Sequence, residues 1–422
     1  MSADKLKAPR GTFDIIGEQA AAREALEAKA RALLEAAGYE RIETPVFEST
    51  ELFARGVGAA TDIVSKEMFS FEENAARPGR TLTLRPEGTA PVCRAYIEHG
   101  MHKRRQPVKL WYLSSFFRHE RPQDGRYREF WQIGAEAIGS EDPAVDAESI
   151  VLLATLLGEA GVAGTRLRLS SLGSPEARGE YRELLKSHLR ANEDRLSPEV
   201  RGRIELNPLR AFDSDHEGTR DVMKSAPLLI DHLDRDDLDH FGEVRAMLDA
   251  AGLSYEVDPT LVRGLDYYTR TLFEFTSEAL GAQSGVAGGG RYDRLVEQLG
   301  GPPTPGMGWA AGVERIHLAG EPSPSAPAPV ELFVALADDS AEVRRDAFSL
   351  LVEARSAGVR AQLELGGRSL KGQLGQAASL GARYVAIVGA QETVLRDMED
   401  GTQQEVPRDT VVHAVLRSHH GL

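Results

Sequence analysis

Two stretches of alternating polarity, PVKLWYLSSFFR and REFWQIGAEAI, lie between residues 107 and 138 and are joined by HERPQDGRY. Pro122 and the pair Asp124-Gly125 supply turn chemistry, so the two arms close on each other as a long antiparallel hairpin. Counting faces along the second arm separates two surfaces. Trp131, Ile133, Ala135 and Ala137 form an apolar side, whereas Phe130, Gln132, Gly134, Glu136 and Ile138 share the other. An amide and a carboxylate beside a glycine that leaves room read as the floor of a binding pocket.

Around this hairpin the elements alternate in type. Residues 18–38, EQAAAREALEAKARALLEAAG, read as an amphipathic helix with Leu26, Ala30, Leu33 and Ala37 on one stripe and Gly38 as its stop. A strand-like YERIETPVFES follows. The segment TLTLRPEGTAPVCRAYIEHG passes from a strand through Pro86 and Gly88 into a helix, with Thr89 placed to cap it and Pro91 tolerated in the first turn. From 174 to 250 the chain turns helical and charged, which reads as an insert between a first strand-bearing part, 1–173, and a second, 251–320. Residues 321–329 are proline-rich and read as a semi-rigid linker. Residues 330–422 then alternate strand and helix in a βαβαβ pattern, implying a small parallel or mixed sheet under helices.

A chain of 422 residues has room for two or three domains. Its formal charge of −15 argues against a general nucleic-acid coat, which needs dense Lys and Arg, although local patches such as Lys103-Arg104-Arg105 remain. No run of about 18 apolar residues is present, and the N-terminus lacks the features of a signal or transit peptide. Cys93 is the single cysteine, so an internal disulfide is excluded and a cytoplasmic setting is expected. Cys93 falls on the apolar side of its helix and reads as core. His99 and His102 lack a third ligand and read as helix-end residues rather than a metal site. Neither a GxxxxGK[ST] phosphate loop nor a GxGxxG dinucleotide loop occurs.

What stands out is the placing of arginines. Arg118 closes the first hairpin arm, Arg263 precedes a glycine turn, and Arg315 lies in the helix of MGWAAGVERI. A guanidinium keeps its charge and offers paired donors, which suits phosphate oxygens, so three separated arginines are fit to surround a polyphosphate. Tyr267 and Tyr268 adjoin a glycine turn where a small ligand has room.

Together, RPEGTA at 85–90, FFRHERPQDGRYREFWQIGAE at 116–136, LVRGLDYYTRTLFEF at 261–275, GGGRYD at 288–293 and GWAAGVERI at 308–316 resemble the histidyl-tRNA synthetases, a class II aminoacyl-tRNA synthetase family. RGLDYYTRT is the most characteristic of these motifs, and the resemblance runs from APRGTFD at 8–14 into the C-terminal domain. It implies an α+β catalytic domain on an antiparallel sheet flanked by helices, an inserted helical subdomain and a C-terminal α/β anticodon-binding domain. It also implies a homodimer, with the ETPVFES segment near its interface. The implied reaction is ATP-dependent ligation of L-histidine to tRNA(His) through histidyl-adenylate, with Mg²⁺ accompanying ATP.

Residue roles follow from the same resemblance. Glu87, with Gly88 and Thr89, matches the position that holds the substrate α-amino group. Arg118 matches the arginine that contacts the α-phosphate and the substrate carboxylate. Gln132 and Glu136 match pocket residues, Tyr267 and Tyr268 match the imidazole-recognising segment, and Tyr292 lines the same pocket. Arg263 would contact the α-phosphate where related enzymes place a metal, while Arg315, assisted by Arg126, would bind the ATP tail. Arg121 and Gln123 at the hairpin tip would meet the tRNA acceptor end. No residue need be a covalent nucleophile. Trp131 stands where many relatives have His, and Trp309, Ala311 and Val313 replace commoner Phe and Leu or Met, all as packing exchanges. A rival from the same fold is the regulatory subunit of ATP phosphoribosyltransferase, which typically lacks the anticodon domain and alters the arginine and tyrosine segment.

Overall fold

The computed structural model describes residues 5–58, 61–73, 79–281, 284–320 and 329–419. The chain divides into two compact units, Met1–Ser323 and Pro324–Leu422. Of the expected linker, 321–328 lie outside the described residues.

In the first unit the hairpin supplies the second and third of the eight strands of the sheet. Val108–Phe117 pairs antiparallel with Glu129–Ile138 along its whole length, from Val108 opposite Ile138 to Phe117 opposite Glu129. Eight strands are ordered Glu40–Arg41, Val108–Phe117, Glu129–Ile138, Gly306–Gly312, Gly285–Arg291, Thr269–Ser277, Thr165–Ser171 and Glu256–Val257. The six inner strands are antiparallel, but both two-residue edges pair parallel, so the sheet is mixed rather than wholly antiparallel. The reason is connectivity: parallel pairing needs a long crossover. Glu256–Val257 reaches Thr165–Ser171 only after the intervening helices. A separate three-stranded antiparallel sheet joins Phe47–Ser49, Thr81–Leu84 and Ser70–Glu72.

The period-2 pattern distributes the core between two layers. Trp111, Ile133, Ala135, Ala137, Phe273 and Phe275 pack beneath the helices Glu18–Ala36, Pro143–Glu159 and Arg235–Ala250. On Glu18–Ala36 the fully buried positions are Leu26, Ala30 and Leu34, with Leu33 and Ala37 at the margin of the cluster. The opposite face, carrying Leu110, Tyr112, Phe116 and Leu272, packs on Val92, Cys93 and Tyr96 of helix Thr89–Glu98. Helix Pro175–Ala191 joins that second layer through Tyr181, Leu185 and Leu189. The helical run 174–250 therefore serves both layers: its last helix, through Phe241, Val244 and Leu248, sits in the first. Ser174, Ser197 and Asp234 begin three of these helices by accepting backbone N–H groups.

The second unit is a five-stranded mixed sheet ordered Ala361–Leu363, Leu332–Leu336, Tyr384–Val388, Thr393–Asp397 and Gln403–Val406. The first three strands are parallel and the last two antiparallel. Both faces of Leu332–Leu336 are buried, Leu332 and Val334 against helix Ala341–Ser356 and Phe333 and Ala335 against helix Leu370–Ser379. Strands covered on both faces are uniformly apolar, as LFVAL is.

Candidate active site

The site grows from the start of helix Thr89–Glu98. Thr89 was expected to cap this helix. Instead Gly88 occupies the cap position, and the Glu87 carboxylate accepts the N–H groups of Thr89 at 2.8 Å and Ala90 at 3.1 Å. An acidic side chain has two oxygens for the unpaired amides there and complements the positive end of the helix dipole. The Thr89 hydroxyl is thereby left to donate to Glu136 Oε1 at 2.8 Å. The other oxygen of Glu136 accepts from the Tyr292 hydroxyl at 2.7 Å, and Tyr267 donates to Glu87 at 3.5 Å. Two carboxylates and two phenols from four separate segments thus converge on one buried spot.

Room is made by omitted side chains. Tyr112 lies across Gly134 of the neighbouring strand and across Gly88, so a Cβ at either would enter its ring. A Cβ at Gly308 would strike Glu136. Tyr267 and Tyr268 are both buried, with ring centroids 4.8 Å apart and edge to face, and Tyr292 stands 5.9 Å from Tyr267. Gln132 is half-buried on the Glu136 face, four residues earlier.

Burial dominates the charge state of this pocket. It raises the Glu87 carboxyl to about 7 despite the helix amides, and the Glu136 carboxyl to about 8 despite its phenol and hydroxyl donors, with the Glu87 charge adding to the rise at Glu136. The phenols of Tyr267 and Tyr292 are pushed well above the usual tyrosine value, chiefly by burial. Such a pocket is short of positive charge, and a cation entering it would meet carboxylates that gain from ionising.

Arg118 connects this pocket to an open cleft. Its Nε donates to the Pro86 carbonyl at 2.9 Å, its guanidinium lies 5.2 Å from the Phe130 ring centre, and Glu120 is 3.8 Å away. The cleft has a volume of about 480 Å³, and Arg118, Arg126 and Arg263 line it together with Glu67 and Glu120. Arg263 is paired with Glu274, which also binds Arg168 at 3.1 Å. Arg315 is not in that lining; it donates to the Gly285 carbonyl and reaches the hairpin turn at Gly125. The three arginines singled out in the sequence are therefore divided between the cleft and the foot of the hairpin tip.

Arg291 of GGGRYD is fully buried and ion-paired with Asp146, which also meets His240 at 2.9 Å. This cluster fixes the strand end from which Tyr292 projects. Three residues of the site were not anticipated: Tyr112, Arg168 and Arg210. A face count of the first hairpin arm, placing Tyr112 with Leu110 and Phe116 opposite Gly134, would have found Tyr112; register alone carries no signal for the two arginines, which arrive from a far strand and the helical run.

The family model for histidyl-tRNA synthetase matches residues 11–316. The chain belongs to the histidyl-tRNA synthetase family. A model for the anticodon-binding domain matches residues 332–418. A histidine–tRNA ligase of Desulforudis audaxviator (strain MP104C) is 47% identical over 98% of this chain and 99% of its own length. The crystal structure of apo histidyl-tRNA synthetase from S. aureus superposes with a TM-score of 0.80 at 34% identity, covering 97% of this chain and all of that one. A structure from Bacillus halodurans C, described as an ATP phosphoribosyltransferase regulatory subunit/histidyl-tRNA synthetase, gives 0.61 at 23% identity over 88% of this chain and 96% of that one, a likeness of fold. The regulatory alternative thus remains a distant structural relative, while the second unit it would typically lack is present.

Proposed function

We propose that the carboxylate–phenol pocket holds histidine, the arginine cleft holds ATP, and Arg118 joins the two. The activity is ATP-dependent ligation of L-histidine to tRNA(His), releasing AMP and diphosphate, as family membership across the full chain supports. The single observation that carries the site assignment is the pair of buried carboxylates, Glu87 and Glu136, linked through Thr89, whose backbone N–H donates to the first and whose hydroxyl donates to the second.

In the first step a carboxylate oxygen of histidine attacks the α-phosphorus of ATP. The bond from that phosphorus to the β-phosphate bridge breaks, and diphosphate leaves with the electron pair. Glu87, with Gly88 and Thr89, receives the α-ammonium. Glu136, supported by Tyr292 and Gln132, takes one ring nitrogen, and Tyr267 and Tyr268 close over the ring. An analogue lacking either ring nitrogen would strand a buried polar group, which penalises it strongly. Arg118 and Arg263 meet the negative charge that develops at the α-phosphate, and Arg126 and Arg315 hold the rest of the nucleotide. Mg²⁺ enters with ATP as part of the nucleotide substrate. In the second step a hydroxyl of the terminal adenosine attacks the activated carbonyl and AMP departs.

The second unit takes the anticodon, and exposed Arg121 and Gln123 at the hairpin tip take the acceptor end. Exposed Phe47 and Phe71 on the small sheet, with ring centroids 6.3 Å apart, and exposed Val46 just before it support a homodimer through the ETPVFES region. We place the reaction in the cytoplasm; no helix among the described residues is long and apolar enough to cross a membrane. Histidine-dependent exchange of labelled diphosphate into ATP tests the reading. Exchange that needs histidine is the expected result, and none at all with purified full-length protein overturns it.

A further inference from the structure

Behind Arg263 lies a second cavity, of about 100 Å³, between the RGLDYY segment and the helical run. One water needs roughly 10–15 Å³ on such a measure, so several water-sized groups, or one tetrahedral oxyanion, have room. Its charged lining is Arg178, Arg182, Arg210 and Arg263 against a single carboxylate, Asp266. Arg210 and Arg263 line both this cavity and the cleft, and their partners Asp213 and Glu274 line the cleft but not this cavity.

Arg178 and Arg182 are what set the cavity apart. Arg178 donates to the Tyr268 carbonyl and Arg182 to the Leu206 carbonyl at 2.7 Å, and among the described residues neither forms an ion pair. Nearby acids are engaged elsewhere: Asp62 with Arg203, Glu183 with Lys186, Asp213 with Arg210. Asp266 is held by Asn207 at 3.0 Å, and burial raises its carboxyl against the pull of the surrounding arginines. Burial likewise lowers the Arg178 guanidinium, and Arg182 beside it adds to the effect. Four guanidiniums, Arg178 among them largely drawn from water, face one carboxylate, and an anion relieves the cost of that excess positive charge.

We propose that this cavity is a second anion site, distinct from the cleft, which binds one phosphate group through Arg178 and Arg182. Free diphosphate and a phosphodiester of an RNA 3′ end offer the same oxyanion chemistry. Because Arg263 forms the shared wall, an anion there would stand directly behind the guanidinium assigned to the α-phosphate. The site goes beyond the synthetase reading, although it borrows that assignment for its context.

The test uses the full chain with its cleft filled by histidinol and a non-hydrolysable ATP analogue. Inorganic diphosphate and, separately, a CCA trinucleotide are titrated calorimetrically. At least one probe is expected to bind one-to-one; Arg182→Gln should weaken it about tenfold or more, as loss of a charge-assisted hydrogen bond would. Asp266→Asn, which removes the opposing charge, should tighten it. The probe that shows both shifts identifies the source of the phosphate. Absence of binding by both probes, or affinities unchanged in Arg182→Gln and Arg178→Gln, overturns the site. Diphosphate exchange on the same wild-type sample keeps the readings apart: exchange without second-site binding sinks only this proposal.

Discussion

The Tyr292 hydroxyl donates to Glu136 Oε2 at 2.7 Å, across the strand Gly306–Gly312 that separates their own strands. The bond is open because Gly308, between them, has no side chain to fill the gap. Tyr292→Phe removes a donor to a buried acid, a loss of about 1.5–3 kcal/mol. The expected outcome is a histidine KM raised about ten- to a hundredfold with the ATP KM little changed, measured by diphosphate exchange.

The same acid makes histidine binding depend on pH. Glu87 at about 7 and Glu136 at about 8 are partly protonated near neutrality; Glu87 must ionise to pair with the α-ammonium, and Glu136 must ionise to accept from a ring N–H. Histidine affinity should therefore fall as pH is lowered from about 8 to about 7, a range in which the α-ammonium of free histidine is largely retained and its imidazole is largely neutral. Calorimetry in buffers of different ionisation heat should show proton release on binding; proton uptake would contradict the assignment.

Stability follows with its own sign. A carboxyl whose folded value is raised from 4.5 to about 8 contributes fully below 4.5, and that contribution is lost as pH rises through 8. Glu136→Gln, which cannot ionise, should raise Tm relative to the parent at pH 9 and show a smaller difference at pH 5. Thermal denaturation at the two pH values checks this.

Arg263 tests the division of labour in the cleft. Arg263→Ala should abolish adenylate formation or lower it by at least roughly 10²–10³-fold, the range for removing one donor to developing charge, while circular dichroism stays that of the parent. Near-normal exchange in a folded variant would refute the role.

The buried cluster behind Tyr292 is structural. Asp146→Ala leaves Arg291 without its principal counter-charge in a fully buried place and should cost about 3–5 kcal/mol in urea unfolding.

Much of this was legible in the sequence because it is local or periodic. The hairpin, its two faces, the helix after Gly88 and the change of architecture after residue 320 all rest on turn residues and period-2 or 3.6 patterns. The parallel edges were not legible, since two-residue strands have no periodicity. Nor was the cap: Thr89 is the better capping residue by propensity, yet tertiary bonding to Glu136 claims its hydroxyl. Arg168 and Arg210 reach the cleft from segments about 100 residues and about 50 residues before Arg263, and one sequence carries no signal for such meetings.

Glu87 performs two duties at once, tying down the amides of Thr89 and Ala90 while facing the place assigned to the substrate ammonium. Anyone retuning this pocket for another amino acid inherits that entanglement. A new residue at 87 must both greet the new ligand and still begin the helix, so specificity here is redesigned more safely from Glu136, Tyr267 and Tyr292, whose bonds begin no helix.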